Sequence, residues 1–404
     1  MHRLVQGDVG SGKTVVAFLA AVFAAANGYQ TAMMVPTEIL AEQHFKNAVK
    51  WLAPLGLRAE LLTGSTSAKE RQMIQEDLKS GKIHLCVGTH ALIEEDIEFQ
   101  RLALVIIDEQ HRFGVHQRNN LKRKGQSPHF LVMTATPIPR TLAMTVYGDL
   151  DVSLINEMPA GRTPILTRLV FDSKRAAVYG YMNEQISKGR QAYIVYPLVE
   201  ESEKMDLKDA VSEYEKLRAQ FPNIRFGLLH GRMKSQEKDE VMDQFRLSSI
   251  QVLVSTTVIE VGVDVSNANM MIIEHAERFG LSQLHQLRGR VGRGSHRSYC
   301  VLMMGRALSD EGRARGQIMI QTNDGFKIAE ADLEIRGPGE FLGSRQSGLP
   351  GFKMANLVRD VLILQKARQA AGELLARDPQ LLAVEHSGLK VALSAGITKL
   401  AGVG

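Results

Sequence analysis

The stretch GDVGSGKT, Gly7 to Thr14, has the residue types and spacing to hold a nucleoside triphosphate. It fits G-x-x-x-x-G-K-[ST] at every fixed position. In that pattern Gly7, Gly10, Ser11 and Gly12 let the backbone close around phosphate oxygens, Lys13 reaches the outer phosphates, and the Thr14 hydroxyl ligates Mg2+. A second stretch, LVIIDEQH, ends an apolar strand in two carboxylates. Asp108 is expected to hold the Mg2+, and Glu109 to orient and deprotonate an attacking water. Two acids in a surface turn would be the bland alternative, and the phosphate loop argues against it.

A third stretch, HQLRGRVGRG, sets Gln286, Arg288, Arg290 and Arg293 in a short glycine-broken segment. Arginines three apart can stabilise charge on a γ-phosphate from across a cleft. A basic turn on a solvated face accounts for the same residues, so the segment alone does not decide.

The elements that must position these groups follow from the hydrophobic pattern. HRLVQ before the loop reads as a short buried strand, and TVVAFLAAVFAAAN after it as a helix stopped at Gly28. The apolar run Val15 to Ala26 behind a basic start also resembles a secretory signal. Asp8 and Lys13 interrupt the approach to it, and it falls short of the roughly 18 to 20 residues that span a bilayer. No membrane association is expected.

Short β-branched runs then alternate with helical stretches, which implies parallel α/β sheets. TAMMVP, IHLCVGT, LALVIIDE and FLVMTAT are the strands expected in a first lobe, residues 1–157. A linker is expected over residues 157–168, EMPAGRTPILTR, where prolines and a glycine break the periodicity. QAYIVYPLV, RFGLLHG, IQVLVSTT, NMMIIEHA and YCVLMMG are the strands of a second lobe, 158–307, which has no phosphate loop of its own. From 308 to 404 helices dominate, including Asn356 to Arg377 with Asn356 as cap.

Composition sets the bounds. The chain's 404 residues, 44% hydrophobic and 23% charged, suit two or three folded domains. Cys86 and Cys300 lie far apart in sequence, so neither a disulfide framework nor a cysteine metal site is indicated, and a reducing cytoplasm fits. The histidines lack metal-ligand spacing, and no protein-bound zinc is expected. A net charge of +5 permits nucleic-acid binding without demanding it.

The order GDVGSGKT, PTEILAEQH, GTHALI, DEQH, TATP, STTVIEVGVDV and QLRGRVGR resembles superfamily 2 helicases over nearly the whole chain. DEQHRFGV, TATPIPRT and FKIAEADLEIRGPGEFLGSRQSG resemble more closely the RecG family of ATP-dependent branched-DNA helicases. The transcription-repair coupling translocases are a neighbouring family that carries DEEH where this chain has DEQH.

The resemblance implies two RecA-like lobes followed by a small helical hairpin and hook. It implies ATP and Mg2+ as cofactors, with Lys13, Thr14, Asp108, Glu109, Gln286, Arg290 and Arg293 in the ATPase. His111, Thr134 and Thr136 would couple nucleotide state to the DNA grip. Arg315 and Gln346 would occupy the linking positions of a translocation motif, for which a plain packed hairpin is the alternative. Forked or branched duplex DNA is the implied substrate, remodelled during recombination and repair. It would be touched at phosphates through Thr37, Gly88, Thr89 and Thr256, although a helix cap or strand filler explains each threonine as well.

A monomer in the bacterial cytoplasm, associated with the nucleoid and partnered by single-strand DNA-binding protein, completes the implied picture. Members of the family carry a wedge domain and an adenine-reading segment ahead of the phosphate loop. The chain is therefore expected to be a carboxyl-terminal motor portion, with a binding fragment of little autonomous hydrolysis as the alternative.

Overall fold

The computed structural model describes residues 1–109, 121, 124–134, 150–157, 164–197, 203–256, 265–294, 296–305, 309–336 and 360–393. His111, Thr136, Gln346 and the expected cap Asn356 lie outside the described residues. Described residues through Ile328 form one compact unit, and those from Ala329 onward a second.

The first unit holds two sheets. One is built from β1 (His2–Gly7), β2 (Gln30–Met34), β3 (Ala59–Leu62), β4 (Leu85–Gly88), β5 (Leu102–Asp108), β6 (His129–Thr134) and β7 (Asp151–Ile155), in the order β3-β4-β2-β5-β6-β1-β7. Every pairing is parallel, and β1 lies between β6 and β7. The helices α1 (Lys13–Ala26), α2 (Glu38–Leu52) and α3 (Ala68–Lys79) connect its strands.

A parallel sheet covered on both faces needs strands that are apolar on both sides. In β5, Leu104 and Ile106 enter one core with Phe18, Ala41 and Leu52, while Val105 and Ile107 enter another with Leu78 and Leu92. The continuous run LALVII reads as a strand for this reason.

The second sheet comprises β8 (Leu166–Phe171), β9 (Gln191–Val195), β10 (Phe226–Leu229), β11 (Val252–Ser255), β12 (Ala268–Ile273) and β13 (Tyr299–Met304). It is ordered β10-β11-β9-β12-β13-β8 and is again parallel throughout. Its helices are α4 (Arg175–Ser187), α5 (Glu203–Gln220), α6 (Ser235–Arg246) and α7 (Leu281–Arg288). Beyond it come α8 (Asp310–Gln321), α9 (Gly325–Arg336) and α10 (Val361–Arg377).

Two features differ from the expected strand pattern. Residues Leu166 to Arg168 of the expected linker begin β8, which pairs with β13. The strands β3, β7 and β8 do not stand out in the sequence, because β7 and β8 at sheet edges alternate partly exposed residues instead of forming a buried run, and β3 is only four residues long. The first compact unit includes α8 and ends at Ile328. The helix α8 packs so closely on β8 and β13 that a Cβ on Gly316 would lie 2.6 Å from Leu169 Cδ1 and 2.7 Å from Met304 Cε.

Candidate nucleotide site

The strand β1 delivers the phosphate loop to the carboxyl edge of its sheet, where ligands of open α/β sheets bind. Gly10 and Gly12 take φ of 80° and 95°, left-handed values that cost a side-chain-bearing residue free energy and turn the loop back on itself into α1. A Cβ on Gly7 would sit 2.3 Å from Ser11 Oγ and 3.2 Å from Ile155 Cβ, so glycine gives the loop its close approach here. The Ser11 hydroxyl is buried with no hydrogen-bond partner, which fits a phosphate oxygen as its missing acceptor.

Lys13 opens α1 and is buried, its Nζ donating to the carbonyl oxygens of Gly7 at 2.7 Å and Asp8 at 2.9 Å. Burial lowers the pKa of its ammonium against the opposing pull of Asp108, Glu109 and Asp8, and Arg293 lowers it further. A cation held by two carbonyls in a desolvated cradle is primed for an anionic ligand.

Asp108 ends β5 on the same sheet edge. Its Oδ2 faces His44 Nε2 at 3.0 Å, and its Oδ1 accepts the Glu109 amide at 3.0 Å. Burial acts to raise its pKa, but His44, Lys13 and the Glu109 amide outweigh that and hold the carboxyl below its ordinary value. Glu109 follows with φ of 52°, a left-handed conformation uncommon for a residue with a side chain and often found at functional sites.

Among the described residues no three His, Cys, Asp or Glu side chains cluster as a ready metal cage. A Mg2+ ion fits this arrangement nonetheless, because it is ordinarily held by one or two protein oxygens with phosphates and water completing its shell. Asp108 and Thr14 are the residues that would supply those oxygens.

The segment from α7 lies against the phosphate loop. His285 Nε2 is 2.6 Å from Asp8 Oδ1, and a Cβ on Gly289 would come within 3.0 Å of Val9 Cβ. Arg288 is buried, with its Nη2 3.0 Å from His285 Nδ1 and its Nη1 donating to the carbonyls of Met319 and Thr322 at 2.9 Å each. Gln286 and Arg290 are also buried, and Arg293 Nε donates to Gly289 O at 3.2 Å. Arg293 therefore acts electrostatically on Lys13, and the burial of Arg288 and Arg290 does not fit a solvated turn.

The remaining expected residues divide. Thr37 caps α2, accepting the Leu40 amide at 3.4 Å. Thr89 and Thr256 are buried, with amides donating inward to Leu62 O and Leu229 O, and a Cβ on Gly88 would meet Leu62 O at 2.2 Å. Among these four, Thr37 alone is partly exposed, and Gly88, Thr89 and Thr256 are buried. Thr134 is buried at the end of β6 beside β1. Arg315 on α8 donates to Glu277 O at 3.1 Å.

Two site residues escaped the sequence reading. His44 sits in the apolar stripe Leu40, Ala41, His44, Ala48, Leu52 of α2, and a polar ring in such a stripe was the available signal. The contact of His285 with Asp8 spans 277 residues and left no local trace.

The chain matches the family model for DEAD/DEAH box helicases over residues 2–145. It matches the helicase conserved C-terminal domain over 173–295 and the C-terminal part of domain 3 of the ATP-dependent DNA helicase RecG over 322–394. It is 56% identical over 403 residues to the ATP-dependent DNA helicase RecG of Synechocystis sp., covering 100% of this chain and 48% of that protein. The RecG of Escherichia coli is 53% identical over 385 residues, with 94% of this chain and 56% of that protein covered. The chain thus spans about half the length of the curated relatives it matches.

A solved structure described as RecG bound to a three-way DNA junction superposes with a TM-score of 0.73 at 49% identity, covering 90% of this chain and 47% of that one. The S. cerevisiae Dbp5 structure with RNA and ADP BeF3 aligns at a TM-score of 0.59 and 16% identity, over 91% of this chain and 89% of that one, and shares the fold alone.

Proposed function

We propose, starting from the fact that this chain belongs to the RecG family of helicases, that it is the ATP-driven motor of a branched-DNA remodelling enzyme. The observation that carries the reading is the meeting of Asp8 and Lys13 on one lobe with His285 and Arg293 on the other. A site completed by both lobes can bias their arrangement through what it binds.

Gly7, Gly10, Ser11, Gly12 and Lys13 bind and orient the triphosphate, and Thr14 and Asp108 hold Mg2+. The metal, when bound, neutralises charge on the outer phosphates. Glu109 takes the proton of the attacking water, while Gln286, Arg290 and Arg293 offset the charge that develops on the transferred phosphoryl group. Lys13, Gln286 and Arg290 are buried, a water-poor setting in which a fixed charge acts strongly.

Hydrolysis is read out as movement along duplex DNA. His111, Thr134, Thr136, Arg315 and Gln346 serve as coupling positions, and phosphates are gripped near Thr37 at the start of α2. Contacts of this kind give position and salt dependence without sequence choice, so the substrate is recognised by its branched shape. Forks are regressed and Holliday junctions moved in recombination and repair. The protein works as a monomer in a bacterial cytoplasm, near the nucleoid and single-strand DNA-binding protein. No helix among the described residues is long and apolar enough to cross a membrane.

The test is ATP hydrolysis with and without a forked duplex, comparing the chain with Glu109→Gln. Fork-stimulated turnover is expected, and loss of the general base is expected to slow it by about 10² to 10⁴ while nucleotide and fork binding persist. Fork binding without any turnover in the unaltered chain would overturn the motor reading.

A further inference from the structure

Asp108 is held from α2 by a histidine. The helix α2 carries His44 into the core, where the residue is 6% exposed and its ring meets Phe18 of α1 edge to face, with centroids 6.4 Å apart. Nε2 points at Asp108 Oδ2 over 3.0 Å, whereas Nδ1 is buried with no hydrogen-bond partner. An imidazole so placed keeps its proton on Nε2 and donates it to the carboxylate.

With the Glu109 amide on Oδ1, each oxygen of Asp108 then has one fixed donor and one lone-pair direction left for a cation. Nothing else about this site needs a histidine in an apolar stripe. A leucine or phenylalanine would pack there without burying a ring nitrogen.

We propose that His44 is a positioning residue that fixes the rotamer of Asp108 for Mg2+. The proposal rests on the reading of Asp108 as a Mg2+ ligand. His44 touches neither nucleotide nor metal; it acts through the carboxylate, as the outer partners of metal ligands do elsewhere. The helix that carries it begins at Thr37, so the Mg2+ carboxylate and the start of α2 are joined by one rigid element of two helical turns.

The readout is equilibrium binding of a fluorescent ADP analogue as Mg2+ is titrated, with no turnover involved. His44→Phe keeps ring volume and removes the donor; His44→Gln restores a donor. Half-saturating Mg2+ is expected to rise about tenfold in His44→Phe and to stay within about threefold of the unaltered chain in His44→Gln, with Mg2+-free nucleotide binding the same in all three. An unchanged Mg2+ dependence in His44→Phe would overturn the proposal, as would His44→Gln behaving like His44→Phe, since packing alone would then explain the ring. Asp108→Asn separates the two readings. If it retains the Mg2+ dependence, the metal reading of Asp108 fails; if it loses that dependence while His44→Phe does not, His44 alone is misassigned.

Discussion

In one lobe β5 ends at Asp108 and α1 opens at Lys13; in the other β12 runs into Glu274 and α4 opens at Arg175. The two sheets share an order, so β12 corresponds to β5 and β8 to β1. The residue after each acid even takes the same left-handed turn, with φ of 52° at Glu109 and 49° at His275.

The chemistry at these matched positions is opposite. Lys13 donates to loop carbonyls and Asp108 is held by His44, so each of these two ionic groups has partners other than the other. Glu274 is fully buried, pairing with Arg175 at 2.9 Å and accepting Tyr179 Oη at 2.7 Å. A glycine-rich loop leads into α1, whereas FDSKR, with no glycine, leads into α4. One scaffold therefore yields a binding site when its ionic groups are kept apart and a structural ion pair when they are allowed to meet.

The largest effect that sharpens this contrast is on stability. Arg175→Met strands a buried carboxylate, and a loss of about 2 to 3 kcal/mol is expected, below the usual 3 to 5 for a buried pair because Arg175 is partly exposed. Urea unfolding measures it, and nucleotide affinity at the phosphate loop is expected to hold.

A smaller effect lies in the pH dependence. Burial raises the pKa of Glu274 despite Arg175, Tyr179 and His275, which lower it. A raised folded pKa contributes stability below the unfolded value of about 4.3, and that contribution is lost as pH climbs through the folded value. The stability of Glu274→Gln relative to the unaltered chain is therefore expected to rise across that window, checked by urea unfolding in steps from pH 4 upward. A fall would contradict burial as the dominant influence.

The contrast also shows what the sequence could disclose. GDVGSGKT and LVIIDE were legible because phosphate binding fixes residue types at short spacing, and central strands were legible because burial on both faces demands an apolar run. The pairs His44 with Asp108, Asp8 with His285 and Arg175 with Glu274 were not, since each joins groups 64 to 277 residues apart and only the fold sets their distance.

The central claim is that one lobe binds and hydrolyses nucleotide while the matched positions of the other are structural. Hydrolysis of MgATP on a forked duplex by Lys13→Ala and by Arg175→Met, both at a temperature where each is folded, tests it most directly. Turnover is expected to vanish in Lys13→Ala and to stay near that of the unaltered chain in Arg175→Met. Equal loss in both, or loss only in Arg175→Met, would contradict it.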